Sequence, residues 1–127
     1  MLGGSGVLGS QIAGELRNRG GLVMLAGRDR TRLQQRAAGV GADVPSVQFD
    51  LRQPHHADHV VNTAIGGLGG LDGVVNAAGV VAFGPLEDLN DAALDELVAT
   101  DLVGPLRVIR AAVPHIDGGF SVNRLSL

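Results

Sequence analysis

Short apolar runs alternate with longer segments of helical period along all 127 residues, and this alternation restricts the chain to an α/β fold with a parallel sheet. Leu8, Ile12 and Leu16 recur at i, i+4 and i+8, which predicts a helix over Val7–Asn18 that Gly20 and Gly21 stop. The wholly apolar "LVMLAG" over 22–27 predicts a strand buried on both faces, as parallel strands are. A mostly polar helix over 30–38 follows, then "VPSVQFD", a strand that ends at Asp50 with Pro45 at its start, where a missing N–H is tolerated. "HHADHVVNTAIGGLGG" reads as a helix fraying in glycine and "LDGVVNAAG" as the next strand. Asn90 is the expected N-cap of a longer helix over 91–115 that carries Leu94, Leu97, Val98, Leu102, Leu106 and Ile109. "GGFSVNRLSL" reads as one more strand. No repeat, low-complexity tract or linker divides the chain, so residues 1–127 read as one domain.

The composition narrows the partners. Net charge is −3, with charges dispersed and no basic stripe, which argues against nucleic acid or an anionic membrane surface. No apolar run approaches the ~18 residues of a membrane span and no signal-peptide layout opens the chain, so a cytoplasmic protein is expected. The absence of cysteine excludes disulfides and thiolate chemistry. Two metal and acid–base readings are weak. His55, His56 and His59 have helical spacing that suits zinc, but no H-E-x-x-H frame surrounds them, so they read as a solvated helix face and no metal is expected. The carboxylates of "EDLNDAALDE" complement a helix N-terminus and need no catalytic role.

The opening "MLGGSGVLGS" carries more chemistry. Glycines at Gly3, Gly6 and Gly9 lead into the first helix, whose N-terminus presents unpaired N–H groups and a partial positive charge, so a diphosphate can approach the backbone closely. A ribose-reading position belongs at the end of the second strand, and "AGRD" stands there. Four motifs in order, "LGGSGVLG", "LAGRD", "FDL" and "NAAG", resemble the short-chain dehydrogenase/reductase family over essentially the whole chain. Leu2 departs from the family's usual Thr and Ala77 from its usual second Asn.

The resemblance implies a Rossmann-type doubly wound parallel sheet that binds NAD or NADP and transfers hydride between the nicotinamide and a carbonyl or alcohol substrate. It assigns the cofactor to Gly3, Ser5, Gly6, Val7, Leu8 and Gly9 of the loop, to Asp50 and Leu51 with Asp50 on the adenine, and to Asn76, Ala77, Ala78 and Gly79. Gly27 holds the place where an acidic ribose ligand would exclude a 2′-phosphate, and Arg28 follows it. A guanidinium can fork onto that phosphate, so NADP is expected over NAD.

Of the family's catalytic residues, Ser126 stands where the substrate-holding Ser falls, an ordinary tail serine being the alternative. Asp101 stands where an Asn anchors a proton-relay water. Pro105, four residues on, cannot donate to the Asp101 carbonyl, which leaves that carbonyl to a relay water or to a kink made for packing. The family's Tyr and Lys have no counterpart, because the sequence contains neither residue type. Only Met1 and Leu2 precede the loop, where the family has a strand at the sheet's centre between those ending at Ala26 and Asn76, and the Tyr-x-x-x-Lys helix falls after residue 127. The chain thus reads as an incomplete domain, inactive alone, and the costly Arg124 in a strand that should be buried agrees with this. Two other readings stay open: a non-catalytic dinucleotide-binding module, and an interaction fragment or homo-oligomer that docks through the helix 91–115.

Overall fold

The computed structural model describes residues 1–119. It contains the helices α1 (Val7–Asn18), α2 (Arg30–Val40), α3 (His56–Leu68), α4 (Asp91–Val98) and α5 (Gly104–Ala112), and the strands β1 (Leu25–Gly27) and β2 (Ser46–Gln48). Arg124, Ser126 and most of the predicted last strand lie outside the described residues, and its first two glycines belong to a 3₁₀ segment, Val113–Gly119.

β1 and β2 pair in parallel, with Ala26 opposite Val47. On the other side of β1 stands Leu2, bridged in parallel to both Ala26 and Asn76. The order across the sheet is therefore β2, β1, Leu2, Asn76, all in one direction, which is the order of the first half of a doubly wound sheet. Leu2 takes the central place that the resemblance gives to the first strand. The strand expected over 71–79 is reduced to the bridge at Asn76. Its neighbour among the described residues is Met1–Leu2, long enough for one pair of bonds: Leu2 N donates to Val75 O at 2.9 Å and Ala77 N to Leu2 O at 3.0 Å. β1 likewise pairs only from Leu25, although Val23 and Met24 are buried.

Helices cover both faces of the sheet. Leu25 points into a cluster with Ala13, Leu33, Ala37 and Val44, under α1 and α2. Its neighbour Ala26 points the other way, with Leu2, Phe49, Val60, Val61 and Val108, under α3 and α5. This alternation along β1 is the period-2 geometry of a strand.

Two helices turn a different face to the sheet than the large aliphatic side chains suggest. In α1 the buried positions are Gly9 and Ala13, whereas Leu8 is exposed and Leu16 borders an apolar cavity of about 90 Å³ with Leu22, Val23, Met24, Val74 and Val75. Small residues four apart let the helix axis approach β1 closely. The second case is the rod formed by α4 and α5, joined through a π-helical segment, Ala99–Val103, in which Gly104 N donates to Ala99 O. Pro105 has no N–H for the Asp101 carbonyl, and the π turn shifts the hydrogen-bond ladder at that point. Thr100, Gly104, Val108 and Ala112 form the buried face. Leu94, Val98, Leu102, Leu106 and Ile109 face outward, each between 43% and 55% exposed. Asn90 caps the rod as expected, its side chain accepting from Ala93 N at 2.8 Å.

Candidate functional site

The glycine loop leaves Leu2 and turns at once. Gly3 has φ +73°, and a Cβ there would stand 2.6 Å from the backbone of Ala77 and Ala78, so only glycine fits. Gly6 N donates to Gly3 O at 3.0 Å and closes the turn. Gly6 is also the N-cap of α1 and has no side chain to satisfy the first-turn N–H groups, which leaves them and the positive helix end open to an anion.

In front of this helix end lies a cleft of about 290 Å³ along the sheet's C-terminal edge. It gathers residues far apart in the chain: Gly3, Ser5 and Gly6 of the loop, Arg28 after β1, Asp50 and Leu51 after β2, and Ala77, Ala78 and Gly79 after the bridge at Asn76. Nine of the expected cofactor residues thus line one cleft. Val7, Leu8, Gly9 and Asn76 do not line it. Gly9 is buried against the loop, where a Cβ would collide with the Gly3 carbonyl oxygen, and the Asn76 side chain accepts from Ala78 N at 3.1 Å, shaping the strand exit. Val7 and Leu8 have exposed side chains on the first turn of α1.

Asp101 is likewise absent from the lining. Its Oδ1 accepts from Val80 N at 2.9 Å and ties the π segment to the chain after Gly79. Ser126 lies outside the described residues.

Five lining residues stand outside the expected cofactor contacts: Gly27, which the sequence marks only as the place of a missing acidic ribose ligand, and Asp29, Arg32, Phe49 and Thr100. Arg32 was findable as an arginine in the first turn of the helix that follows the strand end. Asp29 caps α2, its Oδ1 accepting from Arg32 N at 2.9 Å, which is the usual task of an Asp just ahead of a helix. Nothing in the sequence marks Thr100. Its Oγ1 is buried with no hydrogen-bond partner among the described residues, an orphaned polar atom beside the cleft.

The cleft's other acidic group is held firmly. Arg52 Nη2 donates to Asp50 Oδ2 at 2.8 Å, Nε lies 3.0 Å from Oδ1, and Arg52 N donates to the same Oδ1 at 3.0 Å. Hydrogen bonding from the Arg52 side chain, against a smaller opposing effect of burial, keeps the Asp50 carboxyl below its ordinary value. Asp50 N donates to His56 Nδ1 at 3.0 Å, so that imidazole is engaged in the loop's backbone. Among the described residues no three His, Cys, Asp or Glu side chains are grouped to hold a metal ion.

A dinucleotide fits these residues. The uncapped helix end suits a diphosphate, the arginines of α2 and its approach suit a further phosphate, and the Asp50 carboxylate and the Thr100 hydroxyl offer polar contacts in the same cleft.

The short chain dehydrogenase profile matches residues 1–123. An oxidoreductase of Staphylococcus aureus is 33% identical over 98% of this chain and 55% of its own length. Among solved structures, a short-chain dehydrogenase/reductase (glucose/ribitol dehydrogenase) from Brucella melitensis superposes with a TM-score of 0.86 at 25% identity, over 91% of this chain and 50% of its own. A short chain dehydrogenase from Burkholderia cenocepacia, solved in complex with NADP, gives 0.84 at 28% identity over 91% and 49%. The chain spans about half the length of the curated relatives it matches. With the parallel order β2, β1, Leu2, Asn76 and the glycine loop at the mouth of the cleft, it belongs to the short-chain dehydrogenase/reductase family.

Proposed function

We propose that this chain is the nucleotide-binding part of an oxidoreductase that takes NADP(H) in preference to NAD(H) and acts on a small carbonyl or alcohol compound. The observation that carries the cofactor preference is the corner where β1 meets α2. Arg28 and Arg32 both line the cleft there, and the carboxylate between them in sequence, Asp29, is engaged in capping α2. Two guanidiniums on the lining of one cleft suit a ribose 2′-phosphate, which each can meet with paired N–H donors. The NADP seen in the Burkholderia relative agrees with this choice.

When bound, the nicotinamide supplies or accepts the hydride. The α1 end and Gly6 hold the diphosphate, Arg28 and Arg32 the 2′-phosphate, Asp50 the adenine, and Ala77 to Gly79 the ribose side of the cleft. Ser126 is the residue proposed to hold the substrate oxygen. Protonation of that oxygen in the family falls to a tyrosine tuned by a lysine, and this sequence contains neither. Asp101 and its carbonyl stay the candidates for anchoring a relay water. The chain alone is therefore proposed to bind cofactor without turnover. The cysteine-free composition agrees with a cytoplasmic setting, and among the described residues no helix is long and apolar enough to cross a membrane.

Calorimetric titration tests the preference. Arg28→Ala should weaken NADPH about ten- to hundredfold, the size of a charged hydrogen bond, while changing NADH about threefold or less. Equal losses for both cofactors refute it. In the same preparation, NADPH absorbance with a panel of ketones and aldehydes should stay flat, and turnover that Ser126→Ala abolishes would overturn the non-catalytic reading.

The outward stripe on α4 and α5 favours a second property, self-association. Five aliphatic side chains in a row, about half exposed, form a seam suited to the same helix of a second copy.

A further inference from the structure

The corner that carries Arg28 and Arg32 to the cleft is pinned at three successive residues. From the β2 side, Phe49 N donates to the Gly27 carbonyl at 2.9 Å. From the α2 side, Leu33 N donates to the Asp29 carbonyl and Arg32 N to Asp29 Oδ1, each at 2.9 Å. Between these anchors the Arg28 carbonyl accepts from a side chain, Gln48 Nε2, at 3.0 Å. Gln48 is the last residue of β2 and stands opposite Gly27 in the parallel register, so its amide crosses from the end of one strand to the turn after the other. It is exposed and does not line the cleft. The carbonyl it holds belongs to the planar Arg28–Asp29 peptide, so fixing that oxygen fixes the rotation between Arg28 and the first turn of α2, where Arg32 stands.

We infer that Gln48 is a positioning residue for this corner: by holding the Arg28–Asp29 peptide it keeps Arg28 in a set place relative to Arg32, and so sharpens the preference of the cleft for NADP(H) over NAD(H). The inference rests on the NADP(H) reading above and adds to it a determinant that lies outside the cleft. Forked N–H donors meet a phosphate with exacting geometry, and two guanidiniums meet one phosphate together only when the backbone that carries them is held. A corner ordered in advance also spares the entropy that binding would otherwise cost. NAD(H) has no phosphate at that ribose, so the placing of the two arginines matters little to it. Gln48 is uncharged and exposed, and loss of its amide empties no core and removes no charge, which separates its effect from packing and from simple attraction.

The test is a double-mutant cycle read by calorimetry with NADPH and NADH on the parent chain, Gln48→Met, Arg28→Ala and the double variant, with circular dichroism to check that each is folded. Methionine keeps the length of the side chain and removes the donor. Gln48→Met should weaken NADPH about three- to tenfold, the size of one neutral hydrogen bond, and change NADH less than about twofold. In the Arg28→Ala background the same substitution should change NADPH less than about twofold, because the side chain it positions is gone. A Gln48→Met variant that keeps the full parental preference overturns the inference. So does an equal weakening of both cofactors, or a loss of NADPH affinity that persists undiminished without Arg28, since either marks a merely structural role. A parent that binds NADPH no better than NADH, or binds neither, overturns the NADP(H) reading itself and this inference with it. A preference that Arg28→Ala abolishes and Gln48→Met leaves intact overturns this inference alone.

Discussion

Arg28, Asp29 and Asp50 stand on one cleft and carry their charges for different purposes. Arg28 lines the cleft with no ion-pair partner among the described residues, Asp29 is committed to the α2 cap, and Asp50 is locked by its neighbour two residues on. The locked pair has a consequence for acid stability. Because the Asp50 carboxyl sits below its ordinary value in the folded chain, the contribution of its pairing is complete above the unfolded value of ~3.9 and disappears as pH falls through the lower folded value. The urea midpoint of the parent should therefore exceed that of Arg52→Ala by a constant, small margin above about pH 5, and the margin should close towards about pH 2. A margin unchanged in acid excludes the linkage. At this scale the sequence shows the residue types but not their assignments. Arg28 and Asp50 are readable as residues of the cleft, Arg28 from its place after a strand end and Asp50 through the family resemblance. Asp29 is equally readable as a cap, and only the structure decides that its oxygen goes to Arg32 N. The Asp50–Arg52 fork is invisible beforehand, since any loop of the form Asp-x-Arg permits it and few require it.

Between elements, the spacing of apolar residues locates helices well and their inner faces poorly. Val7–Asn18 matches the expected first helix at both ends, and α2 exceeds its expected span by two residues, Gly39 and Val40. Yet Leu8 and the row Leu94, Val98, Leu102, Leu106 and Ile109 face away from the sheet, while Gly9, Ala13, Gly104 and Ala112 face it. Large aliphatics signal an apolar surface, whichever body covers it. Close approach to a sheet selects small residues instead, and these carry little hydrophobic signal. The same contrast gives a prediction. A Cβ on Gly104 would stand 2.6 Å from the Leu51 carbonyl oxygen, whereas one on Gly14, in α1, meets nothing within 4 Å. Gly104→Ala should destabilise the chain by about 1–3 kcal/mol as overpacking does, and Gly14→Ala should stabilise it by up to about 1 kcal/mol through helix propensity. Thermal or urea unfolding of the two variants checks both signs. Two destabilisations of equal size would show that the close approach at Gly104 is not what distinguishes them.

Over the whole molecule, the outward row on α4 and α5 predicts concentration-dependent association. Sedimentation velocity of the parent should show a species heavier than the monomer, and Leu102→Glu with Leu106→Glu should restore the monomer, because two carboxylates in the seam lose their hydration without gaining partners. A parent that stays monomeric at high concentration removes the proposal. The sheet's order was readable only through the family resemblance; the composition and periodicity give alternation but no order of strands.

One narrow feature holds that order together. Around Leu2, five main-chain bonds cross the middle of the sheet: Met1 N to Met24 O at 2.9 Å, Ala26 N to Met1 O at 2.8 Å, Gly4 N to Ala26 O at 3.0 Å, Leu2 N to Val75 O at 2.9 Å and Ala77 N to Leu2 O at 3.0 Å. No longer ladder backs them among the described residues. Such a seam opens as a unit, so these amides should share one exchange rate with deuterium and one dependence on urea, as members of a single cooperative opening. Measured by nuclear magnetic resonance, a common opening would mark the line along which the nucleotide cleft comes apart: the wall bearing Arg28 and Asp50 would separate from the wall bearing Ala77 and Gly79 before either lobe unfolds.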